Sequence, residues 1–171
     1  SCLVGSEMCI RDRTLAVQAS VTPAAAPGRN GADGGVYAVY GVGADDRNGN
    51  VWVTNTRQNT VAVYKQSDLS LVKQFDAGTV VHARDVVIDT TLDRAFASAT
   101  GTPNIAVFDA KALAFTKNIE IKSTVRGENF SVGSLHLDPA VHKLYAVSLS
   151  TNEAAVIDGK TETCLLYTSP S

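Results

Sequence analysis

The sequence predicts an all-β fold, a partial β-propeller of two complete four-stranded blades flanked by parts of two others. Three observations carry this. A unit recurs along the chain: Asp45, Asp89 and Asp138 are spaced 44 and then 49 residues apart, and Trp52, Phe96 and Tyr145 keep the same spacing, as do Val63, Val107 and Val156. Each unit holds short β-rich runs broken by Gly, Asn and Asp, with no helical periodicity. The inner runs are apolar on both faces, as in Val86-Val87-Ile88, Ile105-Ala106-Val107-Phe108 and Ala154-Ala155-Val156-Ile157. A sheet with one wet face alternates apolar and polar, so these strands need cover on both sides. Four strands per period of this length, covered on both faces, is what stacked propeller blades require.

Taken in order, residues 14–21 read as the outer strand of a preceding blade, because Leu15 aligns with Leu69 and Leu113, and Val21 with Phe75 and Ile119. Ala16-Val17-Gln18-Ala19 resembles a signal-peptide cleavage site but lacks the apolar region that precedes one, and the repeat register takes it as strand. The stretch PAAAPGRNGADGG is loop. Blade repeats then cover about 38–78, 82–121 and 131–162. In the first, strands are expected near 40–44, 51–54, 60–64 and 71–75, with turns at Arg47-Asn48-Gly49-Asn50 and Thr56-Arg57-Gln58-Asn59. Asp45, Asp89 and Asp138 begin the turn after each first strand, where a short carboxylate bonds nearby backbone amides. Asp109 and Asp158 do the same after the third strand, whereas Lys65 stands there in the first blade, so its turn must close differently. First strands line the channel. Fourth strands lie at the rim and are more polar, as in Leu71-Val72-Lys73-Gln74-Phe75.

Composition is that of an ordinary globular chain: 171 residues, 44% hydrophobic and 19% charged. A net charge of −2 gives no reason to expect nucleic acid or an anionic membrane as partner. No apolar run approaches the roughly 18–20 residues of a membrane span. Cys2, Cys9 and Cys164 all lie close to an end, which is not the spread of a disulfide framework. Residues 1–13 and 163–171 resemble adapter or cloning-derived sequence. They are set aside as a foreign or disordered leader and a foreign tail around a propeller fragment of 14–162. Cys164-Leu165-Leu166-Tyr167 is nevertheless apolar enough to stand in for the fourth strand of the last blade. An unclosed arc leaves faces and edges uncovered, so a chain of this length is expected to be unstable or to aggregate.

The segment VWVTNTRQNTVAVYKQSDLSLVKQFDAG resembles the YVTN-type β-propeller repeat family. Trp52-Val53-Thr54-Asn55 matches the family's aromatic-Val-Thr-Asn strand. The second and third copies depart, with Phe96-Ala97-Ser98-Ala99 and Tyr145-Ala146-Val147-Ser148. The resemblance covers about 14–162 and implies a truncated fragment of a ring of about seven blades, which would need roughly 300 residues. It also implies a bacterial, periplasmic or extracellular location. It does not specify a function.

No catalytic constellation is visible. HExxH, CxxC, GxSxG and glycine-rich phosphate loops are absent, and His82, His136 and His142 are the only histidines. His136 reads as a channel or inter-blade side chain and His142 as a turn residue. No metal ligand, catalytic residue or cofactor is assigned. Propellers bind on the face formed by the blade-to-blade loops, and here those loops vary in length: 22–36 is expanded, and 122–131 (KSTVRGENFS) is longer than its counterpart near 78–83. At that channel mouth Tyr40, Arg84 and Gly133 align, with His82, Asn129 and Ser131 just upstream. Tyr40, His82, Arg84 and Asn129 are therefore the candidate ligand-binding residues, suited to an anion or a polar partner. The structural alternative is that Arg84 pairs with Asp85 or a neighbouring blade and Tyr40 fills the channel wall. Asn55, Asn104 and Asn152 read as turn formers.

The function expected is a non-catalytic binding or scaffold propeller, with an unknown small molecule or protein at the channel mouth. The alternatives are a propeller enzyme, lactonase-like or a cofactor-dependent oxidoreductase, and a propeller that binds nucleic acid. The last needs a basic face, whereas Arg57, Lys65, Lys73, Arg84, Lys117, Lys122 and Arg126 are scattered among acids.

Overall fold

The computed structural model describes residues 2–4, 7–9, 17, 19–21 and 39–168. Near the start, β1 (Cys2–Val4) and β2 (Glu7–Cys9) pair as a small antiparallel ladder. The body is three four-stranded antiparallel sheets, each an up-and-down meander. The first blade comprises β3 (Val39–Asp45), β4 (Asn50–Asn55), β5 (Thr60–Lys65) and β6 (Leu71–Gln74). The second comprises β7 (Ala83–Asp89), β8 (Arg94–Ala99), β9 (Asn104–Asp109) and β10 (Ala114–Glu120). The third comprises β11 (Val132–Asp138), β12 (Lys143–Ser148), β13 (Ala154–Asp158) and β14 (Thr163–Thr168). No helix occurs among the described residues, and none there is long and apolar enough to cross a membrane. Of the expected strand at 14–21, residues 17 and 19–21 are described: Val17 makes an isolated bridge and 19–21 are not in a strand, while the loop 22–36 lies wholly outside the described residues. Cys164 and its neighbours occupy the outer strand of the third blade, where Ile157 pairs with Cys164 and Val156 with Leu166.

The turns work as the aspartates suggested. Asp89 accepts from the Thr91 and Leu92 amides, Asp138 from Ala140, Asp109 from Lys111 and Ala112, and Asp158 from Lys160 and Thr161. Asp45 accepts from the Asn48 amide at 3.3 Å. In the first blade, where Lys65 replaces the aspartate, the turn closes through the Leu69 amide to the Lys65 carbonyl at 3.0 Å, and Asp68 caps Ser70. Four residues after each of these turn starts the backbone is left-handed: Gly49, Asp93 and His142 in one set, Leu69, Leu113 and Glu162 in the other. Only the first of these six is glycine; the other five carry a side chain in a region that suits Gly or Asn best.

Blades stack face to face through apolar clusters in which large residues of one blade meet alanines and further large residues of the next. Trp52, Val61, Val63 and Phe75 of the first blade meet Ala95, Ala97, Ala99, Ala106 and Phe108 of the second. Within this cluster the Trp52, Phe75 and Phe108 rings lie with centroids 4.6 to 5.7 Å apart. Phe96, Ile105 and Val107 on the other face of the second blade meet Leu135, Leu144, Ala146, Ala155 and Ile157 of the third. The first blade's remaining apolar face, Val51, Val53, Ala62 and Tyr64, has Ala19 and Val21 packed on it. Trp52, Phe96 and Tyr145 hold the same register, opposite Val63, Val107 and Val156. Trp52 and Phe96 are fully buried, but Tyr145 is 41% exposed, because among the described residues no blade covers that face of the third. A hydrogen bond and ion pairs tie the blades where the turns meet: His142 Nδ1 lies 2.6 Å from Asp89 Oδ2, and Glu162 reaches both Arg94 and Lys117.

Candidate functional site

Each first strand carries the same irregularity. The register shifts between Val39 and Val42, between Ala83 and Val86, and between Val132 and Leu135. A bulge of this kind re-aims side chains, and here it does so at the channel end of the innermost strand. The bulged residues are Tyr40 and Gly41, Arg84 and Asp85, and Gly133 and Ser134. A hydroxyl from the second strand fills two of the three bulges. Gly41 donates its amide to Thr54 Oγ1 at 2.8 Å, and that hydroxyl donates to the Arg84 carbonyl at 2.8 Å. Asp85 donates its amide to Ser98 Oγ at 2.9 Å. Val147 stands at the corresponding place in the third blade. Gly41 is required by proximity, since a Cβ there would lie 2.5 Å from the Arg84 carbonyl oxygen and 2.9 Å from Asp85 Cα.

This framework sets Arg84 against Tyr40 of the preceding blade. The guanidinium carbon lies 4.5 Å from the Tyr40 ring centroid, and Arg84 Nη2 donates to the phenol oxygen at 2.5 Å. Tyr40 is 56% exposed and Arg84 is half-buried beneath it. Arg84 Nε is buried without a hydrogen-bond partner, and no carboxylate among the described residues forms an ion pair with the guanidinium. Asp85 is occupied elsewhere: one carboxylate oxygen accepts from its neighbour's Val86 amide and the other from the Leu135 amide of the third blade, both at 3.0 Å. Arg84 is thus a cation held by an aromatic ring rather than by an acid.

The other two candidates are not drawn into this contact. His82 is exposed with φ 47°; its amide donates to Asn59 Oδ1 at 2.6 Å and its carbonyl accepts from Thr100. Asn129 is exposed in the next inter-blade loop, where its carbonyl accepts from Ser150 Oγ at 2.8 Å. His136 stands at the inter-blade position of Gly43 and Val87 and lies beside Tyr145, with ring centroids 6.4 Å apart. His142 is a turn residue with φ 54°. No group of three or more His, Cys, Asp or Glu that could hold a metal occurs among the described residues.

Sequence reasoning missed Glu153. This buried carboxylate accepts from Ser123 Oγ at 2.6 Å and from the Thr124 amide and hydroxyl at 2.7 and 2.5 Å, and from Thr151 Oγ1 at 2.5 Å. Burial pushes its pKa up, but those hydrogen bonds outweigh burial and hold it at about 2. Glu153 therefore clasps the long loop 122–131 at one end, while buried Phe130 anchors the other. The clasp joins residues thirty positions apart, and no motif spacing signals it.

No family model matches the sequence, and no curated protein matches it. Among solved structures, the hydrazine synthase of Kuenenia stuttgartiensis superposes with a TM-score of 0.68 at 14% identity, over 91% of this chain and 40% of that one. The RRP9 WD40 repeats superpose at 0.66 and 9% identity, over 78% of this chain and 39% of theirs. The dihydro-heme d1 dehydrogenase NirN superposes at 0.65 and 16% identity, over 78% of this chain and 29% of its own. The chain thus spans two fifths or less of the length of these structures. At such identities the likeness is one of fold. The fold is that of a β-propeller, present here as an arc of three blades.

Proposed function

We propose that this chain is part of a non-catalytic binding or scaffold propeller, and that its channel end binds an anionic group of a small molecule or protein at Arg84 and Tyr40. The observation that carries the reading is a half-buried guanidinium lying on an exposed aromatic ring, with no carboxylate among the described residues in ion-pairing distance of it. Such a group recognises carboxylate or phosphate through paired donors. The clasped loop 122–131 stands at the same end of the blades and offers exposed Arg126 and Asn129 as further polar contacts. Membership of the YVTN-type repeat family, a longer parent ring and a periplasmic or extracellular site are part of this proposal, on the strength of the Trp52-Val53-Thr54-Asn55 strand and its repeats. Nucleic acid fits less well, because the net charge is −2 and the basic residues are scattered among acids along the sequence.

The test is titration of the chain with acetate, citrate and inorganic phosphate, followed by amide chemical shifts at 40–41 and 84–85. Saturable shifts are expected, with affinity reduced at least about tenfold in Arg84→Gln, the loss that goes with one charge-assisted contact. Equal response in wild type and Arg84→Gln would overturn the assignment. Conversion of any of these compounds by the chain would favour an enzyme instead.

A further inference from the structure

One cross-strand pair, between the start of the second strand and the end of the third, is built alike in two blades and differently in the first. In the second blade Arg94 stands opposite Asp109, with nitrogen and oxygen 3.7 Å apart, and in the third Lys143 stands opposite Asp158 at 2.7 Å. In the first blade the same places hold Asn50 and Lys65, so the base has become an amide and the acid a base. Among the described residues Lys65 forms no ion pair, and Asp68 bonds the Ser70 amide and hydroxyl instead, at 2.9 and 2.7 Å. The turn makes no use of the lysine side chain, since it closes through the Lys65 carbonyl. Asn50 is only 9% exposed, and its side-chain amide has no hydrogen bond with any described residue. A buried amide is costly to leave without a partner.

Asn50 and Lys65 line a cavity of about 490 Å³, together with Asn48, Gln66, Ser67 and Val72. That volume lies in the range of small-molecule sites, roughly 300–1,000 Å³. Both residues lie on the same side of the sheet as Trp52 and Val63, the side turned toward the second blade, and Asn48 reaches that blade through Asp93. Asn48 Nδ2 is given to Asp45 and Asp93, and Gln66 Nε2 to Asp46 at 2.8 Å, which leaves both amide oxygens to accept. The cavity thus offers an ammonium, an unused amide, two acceptor oxygens, a hydroxyl and one apolar side chain. An inorganic anion would answer the ammonium and leave the acceptors unmet; a neutral sugar would do the reverse. We propose that this cavity binds a sugar acid. Its carboxylate meets Lys65 and the Asn50 amide, its hydroxyls donate to Asn48 and Gln66, and the C–H face of its ring rests on Val72. Tyr40 and Arg84 are at the other end of the strands, since Asn50 pairs with Asp45 at the far end of β3. The proposal does not depend on the ligand reading made for them.

The test is titration of the chain with D-glucuronate, D-glucose and acetate, read as amide chemical shifts at 48–50 and 65–67 and, in the same spectra, at 40–41 and 84–85. Saturable shifts at 48–50 and 65–67 are expected with glucuronate, at an affinity at least about tenfold above that of glucose, which lacks the charge, or of acetate, which lacks the hydroxyls. Lys65→Gln alters an exposed side chain in a turn held by backbone, so its circular dichroism is expected to match wild type while glucuronate affinity falls by a similar factor. Asn50→Asp places an acid opposite Lys65, the kind of pair the other two blades contain, and is expected to abolish the shifts without loss of fold. Equal responses to glucuronate and acetate, or equal responses of wild type and Lys65→Gln, would overturn the proposal. Glucuronate shifts confined to 40–41 and 84–85 would overturn it too, while leaving the channel-end reading in place.

Discussion

Gly41 is the residue on which the candidate site is built. The first and second blades approach so closely there that a methyl group would meet backbone rather than a movable side chain. Gly41→Ala is expected to destabilise the chain by about 1–3 kcal/mol, the range for overpacking a closed site, read as a lower denaturant midpoint. The same change should weaken the hold of Arg84 on Tyr40, since both sit on the displaced bulge. Repeat alignment made Tyr40 and Arg84 legible as neighbours at one end of adjacent blades. Their stacking was not legible, because it depends on bulges that no turn residue announces. Of the structural alternative read from the sequence, that Arg84 pairs with Asp85 or with a neighbouring blade, the second half is what occurs: Arg84 contacts Tyr40 of the preceding blade, while the two oxygens of Asp85 are taken by backbone amides, one of them in the next blade. Glu153 was invisible for another reason. A glutamate in a polar turn reads as solvated until Ser123, Thr124 and Thr151 are seen to surround it.

At the scale of elements, strands were the easy part and loops the hard one. The four strands of the first blade begin and end within about a residue of expectation, because Gly, Asn and Asp mark their boundaries. The left-handed turn positions were legible only in part: Asp93 and His142 are types that take this backbone more readily than most, and His142 reads as a turn residue, whereas Leu69, Leu113 and Glu162 carry no such mark. The loop 122–131 is an element whose order depends on protonation. The Glu153 carboxyl sits at about 2 in the folded chain against an ordinary value of 4.5. A depressed folded value means that the clasp contributes its full stability above about pH 4.5 and loses it as pH falls from there toward 2. The protection factor of the Thr124 amide, its exchange rate set against the intrinsic rate at each pH, is expected to fall across that window. In Glu153→Gln it should already be lower at pH 7 and nearly flat with pH. An unchanged wild-type profile would dissociate the loop from the carboxylate.

For the whole molecule, the repeat predicted the architecture because each blade needs cover that only a similar blade supplies. The same logic ranks equivalent substitutions by place in the stack. Phe96→Ala empties a buried site between blades and is expected to cost about 3–5 kcal/mol. Tyr145→Ala, at the same register position one blade later, should change stability by no more than about 0.5 kcal/mol. Urea melts of the two variants decide the matter; similar losses would mean that Tyr145 is covered after all. One recurring bond carries a wider consequence. The Gln66, Ala110 and Gly159 amides donate to the Gly49, Asp93 and His142 carbonyls, the same link made three times by three different pairs of residues. What duplication has preserved is therefore a backbone template, with the lettering free to drift. That is how a chain can share a shape with distant propellers while almost none of its spelling survives.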